Sequence, residues 1–173
     1  MVDLVSLATV DPAALERLLD RAFGTDRHAR TAYKVRGAAQ AIGGLSFGAV
    51  ANGALVGSIQ CWPVLLTADN GAAHRLVMVG PVAVEPDRQR SGLGRQLMER
   101  GLAAADAGGP TLTGEGLMLI GDPEYYGRFF GFSAERTARW RLPGPVERHR
   151  LLARGDRVPD IAGALGQAVA VPA

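Results

Sequence analysis

The chain has one cysteine, one lysine, few aromatic residues and no long apolar run. A lone thiol cannot close an internal disulfide. Cys61 sits in the apolar stretch Ser58-Ile59-Gln60-Cys61-Trp62 and reads as a small buried hydrophobe in a reducing compartment. No neighbouring base or cation in the sequence marks it as a nucleophile. With that cysteine and three scattered histidines (His28, His74 and His149), no metal site is expected. The longest apolar run, residues 76–84, is far short of the roughly 20 residues a membrane helix needs. The opening Met1-Val2-Asp3-Leu4 has no basic stretch before its apolar residues, so no secretory leader and a cytoplasmic location are expected. Net charge is +2, too small to point to nucleic acid. Seven arginines lie between positions 136 and 157, yet Trp140 is the only aromatic residue among them. Nucleic-acid surfaces interleave basic and aromatic residues, so this stretch reads as a solvated face.

What is present fits one globular domain spanning residues 1–173, with 47% apolar and 21% charged residues. A core at about 4–142 is followed by a late strand and tail at 143–173. Residues 4–9 read as a first strand. Asp11 before Pro12 is an N-cap followed by the proline favoured at the first helical position. Leu15, Leu18, Leu19 and Ala22 continue at helical spacing. A weaker helix over 27–36 stops at Gly37. Two strand-like runs, 45–51 and 54–62, flank Asn52-Gly53, a strong hairpin signal because both residues tolerate positive φ. A loop at 68–73 leads to a strand over 74–84, apolar enough for burial on both faces. Gly80-Pro81 interrupts that run, and a bulge or local loss of pairing is expected there. A helix over about 92–107, a short buried strand at 117–120 and a helix opening at Asp122-Pro123 follow. Late strands are expected at 140–142 and 151–153. The apolar tail after Pro159, rich in glycine and alanine, carries no assignable element. The whole is a mixed sheet with helices on it.

One segment carries chemistry. A buried strand feeds Glu85-Pro86-Asp87-Arg88-Gln89-Arg90-Ser91-Gly92-Leu93-Gly94, and a helix opens inside it. The first amides of a helix lack internal partners, and the macrodipole adds partial positive charge. Gly92 and Gly94 have no side chain to hold an anion off those amides, and Arg88, Arg90 and Arg95 add charge. A tight structural turn would show the same two glycines. Two other phosphate motifs are excluded. There is no G-x-x-x-x-G-K-[ST], and Leu97 stands where G-x-G-x-x-G requires glycine.

Gln89-Arg90-Ser91-Gly92-Leu93-Gly94 resembles the Q/R-x-x-G-x-G/A loop of the GNAT acyl-CoA N-acyltransferases. The block Leu119-Ile120-Gly121-Asp122-Pro123-Glu124-Tyr125-Tyr126, followed by Phe129-Phe130-Gly131-Phe132, is similar to that family's later strand, helix and Gly-Phe turn, in a bacterial branch of predicted N-acetyltransferases. The resemblance covers about residues 4–142. It implies an α/β fold with a central, mostly antiparallel sheet, a splayed parallel pair of strands and flanking helices. It implies acetyl-CoA as cosubstrate and transfer of an acetyl group to a primary amine of a small molecule or peptide. A catalytically silent acyl-CoA sensor or partner module would carry the same loop. By the resemblance, Gln89, Arg90, Ser91, Gly92, Leu93, Gly94 and Arg95 hold the coenzyme diphosphate. Backbone groups of Val82, Ala83 and Val84 hold the pantetheine arm, and one amide there polarises the thioester. Tyr126, or second to it Tyr125, protonates the departing thiolate.

The family tyrosine often lies four residues before the glycine of the Gly-Phe turn. Tyr126 is five before Gly131 and Tyr125 six, so the helix or its exit carries one extra residue, placed at Phe129-Phe130. Glu85 and Glu115 are the carboxylates nearest the central strands and are candidates for the base, each with a solvated loop position as the plainer reading. His28 lies in the early helical region, on the acceptor side by resemblance. Pairing of the Trp140 strand across a homodimer is expected by analogy only. No nucleic-acid or membrane partner is expected.

Overall fold

The computed structural model describes residues 1–168. Its strands are β1 (Asp3–Ser6), β2 (Phe47–Ala51), β3 (Ala54–Ala68), β4 (Ala73–Val84), β5 (Leu117–Ile120), β6 (Trp140–Arg141), β7 (Leu151–Arg154) and β8 (Gly163–Gln167). Its helices are α1 (Pro12–Phe23), α2 (Thr31–Arg36), α3 (Leu93–Gly108), α4 (Pro110–Thr113) and α5 (Pro123–Phe130). This is a mixed α/β fold with a mostly antiparallel sheet, a parallel β4–β5 pair and flanking helices. Among the described residues no helix is long and apolar enough to cross a membrane. The chain divides into two compact units, and the long strands β3 and β4 each begin in one and end in the other.

The first unit comprises Met1–His28, Ala41–Cys61 and Val79–Gly108. Its local chemistry follows the sequence. The Asp11 carboxylate accepts the Ala13 amide at 3.1 Å and starts α1 behind Pro12. Asn52 and Gly53 take positive φ values of 51° and 78°, which closes the β2–β3 hairpin. A register shift at Ala49/Val50 inserts a bulge in this hairpin. The bulge turns Leu55 to the face where Leu18, Leu19 and Ala83 form one buried cluster. On the opposite face Leu93, Leu97 and Gly101 of α3 pack on Gly57 and Ile59.

Cys61 is 3% exposed in this unit, as a small hydrophobe should be. Burial pushes its thiol up to about 12, opposed by a backbone hydrogen bond from Gly80. A pKa raised on folding keeps its stabilising effect below the unfolded value near 9.0 and loses it as pH rises toward 12. Folded protein should therefore leave Cys61 unreactive toward a thiol reagent at pH 8 and expose it on unfolding. Cys61→Ala should flatten the fall in unfolding free energy between pH 9 and 12, measured by denaturant titration.

The second unit comprises Ala29–Gln40, Trp62–Met78 and Gly109–Ala173. Here β5 pairs β4 in parallel at Val77↔Leu117 and Met78↔Met118 only. Its other edge pairs antiparallel with β7, from Leu117↔Arg154 to Ile120↔Leu151. The parallel ladder thus stops two residues before Gly80-Pro81, where the sequence predicts that pairing fails. The tail after Pro159, with no assignable element in sequence, forms β8. It pairs with residues 64–68 of β3 and, in parallel, with β6. Trp140 is fully buried, and its strand takes β8 as partner within the chain.

Candidate active site

In the first unit, β4 ends at Val84 and a single 3-10 turn, Pro86–Arg88, leads into the loop. The Arg88 amide donates to Glu85 and the Ser91 amide to Arg88. Arg90 takes φ 69° and Gly92 φ 86°, both left-handed. The first helical bond runs from the Gln96 amide to the Gly92 carbonyl, so α3 opens at Gly92. Ser91 turns its hydroxyl back to the Leu93 amide at 3.4 Å. The amides of Gly92 and Gly94 take no hydrogen-bond acceptor among the described residues. Gln89, Arg90, Ser91, Gly92 and Arg95 are exposed, while Leu93 is buried and anchors the turn.

The two glycines do different work. A Cβ at Gly92 would meet nothing within 4 Å, so this residue leaves the helix mouth open. A Cβ at Gly94 would lie 3.7 Å from Val84 and 4.0 Å from Val82, so that position faces the strand. Ala83 between them points to the α1 cluster. The first turn of α3 at Gly94 therefore packs against the end of β4.

In the second unit, Asp122 caps α5 by accepting the Glu124 amide at 3.0 Å. Tyr126 and Tyr125 stack edge to face with centroids 5.0 Å apart. The Tyr126 ring fills the space a side chain at Gly121 would need, since a Cβ there would come within 2.5 Å of it. Burial raises the Tyr126 phenol above its usual value of 10.0, reinforced by Tyr125 and Asp122 and opposed by the Arg150 guanidinium. The phenol therefore keeps its proton through neutral and mildly alkaline pH, the state a proton donor requires. Tyr125 turns toward Phe129 and Phe130, with centroids 5.5 and 5.6 Å away, and borders an open hollow with Pro123, Gly127 and Arg128.

Residues 8–133 match the family model described as the acetyltransferase (GNAT) domain. The chain belongs to the GNAT acetyltransferase family. Solved structures agree on the fold of this GNAT chain. It is similar to a GNAT family N-acetyltransferase (YhbS) from Escherichia coli in complex with CoA, at 21% identity and TM-score 0.68, over 96% of this chain and 88% of that one. It is similar to a GNAT family acetyltransferase from Brucella melitensis in complex with acetyl-CoA, at 25% identity and TM-score 0.56, over 91% and 97%. The ribosomal-protein-S18-alanine N-acetyltransferase from Escherichia coli is a third, at 22% identity and TM-score 0.53, over 88% and 90%. No curated protein matches the GNAT chain.

The exit of α5 departs from a regular helix end. Gly131 ends α5 in a left-handed conformation, and its amide reaches the carbonyls of both Gly127 and Tyr126. The Phe132 amide also reaches the Tyr126 carbonyl, at 3.2 Å. A bond spanning five residues is a π-type turn, which holds one residue more than an α-turn. The exit of α5 after Tyr126 is thus one residue wider than an α-turn.

The candidate bases both have partners. Arg21 of α1 grips Glu85 with both oxygens engaged, at 2.8 Å from Nε and 2.8 Å from Nη2. Glu85 is therefore ion-paired, where its place before Pro86 suggests a solvated side chain. Glu115, a surface loop residue by sequence, holds His74 Nδ1 at 2.7 Å. The arginine-rich stretch is exposed at Arg139, Arg141, Arg148 and Arg157, as a solvated face requires, and most of its guanidinium groups also make pairs within the second unit. Arg136 donates to the carbonyls of Gly155, Asp156 and Val158, Arg139 pairs Asp160, Arg141 pairs Asp69 and Arg148 donates to Trp140. Sequence reasoning misses Arg150 beside Tyr126, because only the β5–β7 register brings residues 24 positions apart together.

Proposed function

We propose that this GNAT chain is an acetyl-CoA-dependent N-acetyltransferase acting on a primary amine of a small molecule or peptide. The open helix mouth at Gly92, with amides that have no acceptor of their own, supports it most. A diphosphate supplies the missing acceptors and negative charge. Gln89, Arg90, Ser91, Leu93, Gly94 and Arg95 complete that loop, and Val82, Ala83 and Val84 present backbone to the pantetheine arm.

The neutral amine attacks the thioester carbon. An amide of residues 82–84 stabilises the oxyanion, a contribution of about 3 kcal/mol. The tetrahedral intermediate then breaks its C–S bond. The Tyr126 phenol passes its proton to the departing sulfur, and the proton lost by the amine nitrogen leaves through water and restores the phenol. Tyr125 is the second choice for that role.

Acetyl-CoA turnover, followed by free-thiol release across a panel of primary amines, tests this. Amine-dependent thiol release with stoichiometric amide formation is expected. CoA binding with no transfer to any amine would identify a sensor or partner module instead.

A further inference from the structure

Arg150 precedes β7 and is fixed by its backbone at both sides. Its carbonyl accepts the Gly121 amide at 2.9 Å, and its own amide donates to Glu147 at 2.9 Å. Gly121 is the residue on which the Tyr126 ring rests. The ladder pair Ile120↔Leu151 next to it holds this juxtaposition in register. Arg150 and Tyr126 thus meet across one glycine of the second unit. The guanidinium is close enough that its charge bears on the phenol.

The Arg150 side chain is half-buried and makes no hydrogen bond or ion pair with the described residues. Most of the other arginines of its stretch are engaged, as above. A guanidinium carries five N–H donors in a rigid fork. None of its nitrogens is among the buried polar atoms left without a partner, so the fork stays open to an arriving acceptor. Asp122, whose charge also bears on the Tyr126 phenol, spends its Oδ1 on the Glu124 amide. The fork suits a carboxylate or phosphate bound through two parallel bonds.

We propose that Arg150 receives a negatively charged group of the acceptor, so that the preferred substrates are primary amines that also carry a carboxylate or a phosphate. This rests on the N-acetyltransferase reading and adds the substrate class. The anion on Arg150 sets the distance of the amine from Tyr126. An uncharged amine of the same size loses that anchor and one charge-assisted pair.

The test uses the full chain and amines in matched pairs. These are the amino acids against their carboxamides, dipeptides against dipeptide amides, and 2-aminoethyl phosphate against ethanolamine. Wild-type protein should favour the anionic member of at least one pair by about ten- to a hundredfold in kcat/KM, chiefly through KM. Whether carboxylate or phosphate pairs show this identifies the group. Arg150→Gln should erase the preference while the CoA affinity, measured by calorimetry, stays unchanged. Arg150→Lys should restore part of it, and circular dichroism should show both variants folded. Equal rates for both members of every pair, preference for the neutral member, or a preference that survives in Arg150→Gln would overturn the proposal. Failure of CoA binding itself, or CoA binding with no amine acetylated, would remove the acetyltransferase reading first and this inference with it.

Discussion

Tyr126→Phe should lower kcat by about a hundredfold or more while leaving the CoA affinity within a factor of about two, the range expected when one positioned proton donor is lost. The substitution deletes one oxygen. The ring still packs on Gly121 and against Tyr125, so the fold has no reason to change. Thiolate departure, in contrast, loses its proton source. The pH profile supplies a second readout. Burial holds the Tyr126 phenol above 10.0, so its protonated form persists past that pH and is lost only above it. Wild-type kcat should stay level on the alkaline side until beyond pH 10 and then fall. Tyr126→Phe should lack that limb. Tyr125→Phe should leave both kcat and the limb largely in place, because Tyr125 faces Phe129 and Phe130. If Tyr125→Phe is the damaging change, the two tyrosines exchange roles.

Gly92→Glu should reduce CoA affinity by at least about a hundredfold. Two effects combine. Gly92 sits at φ 86°, where a residue with a Cβ pays roughly 1–2 kcal/mol in strain. The added carboxylate also places negative charge at the positive end of α3, the proposed place of the diphosphate. No protein atom lies within 4 Å of that Cβ, so steric damage to the first unit is not the cause. Gly92→Ala separates the two effects. It carries the strain without the charge and should weaken CoA by far less than the glutamate. Calorimetry measures both, with thermal unfolding as the check on the fold.

How much of this was legible in the sequence depends on the range of the forces involved. Asp11-Pro12, Asn52-Gly53 and Asp122-Pro123 act on their own neighbours, and each produced the helix start or hairpin its chemistry demands. The turn at Gln89–Gly94 is equally local, since Gly92 takes a left-handed φ of 86° that glycine adopts without strain. β8 was not legible, because Gly163-Ala164-Leu165-Gly166-Gln167 has neither strand propensity nor alternation. It is a strand through pairing with residues 64–68, about a hundred positions earlier, and with β6. The Arg21–Glu85 clamp spans 64 positions and leaves no periodic trace. The separate tasks of Gly92 and Gly94 became visible only once the helix axis was set against Val82 and Val84. The tyrosine offset could be counted in sequence, but the widened last turn of α5 could not be read there.

Titration of the full chain at low ionic strength with CoA, and in parallel with pantetheine, addresses the diphosphate grip at the mouth of α3 most directly. Pantetheine keeps the thiol arm and lacks the diphosphate. A grip of this kind requires saturable CoA binding and pantetheine weaker by about a hundredfold or more. CoA that does not bind, or pantetheine that binds as tightly as CoA, would contradict it.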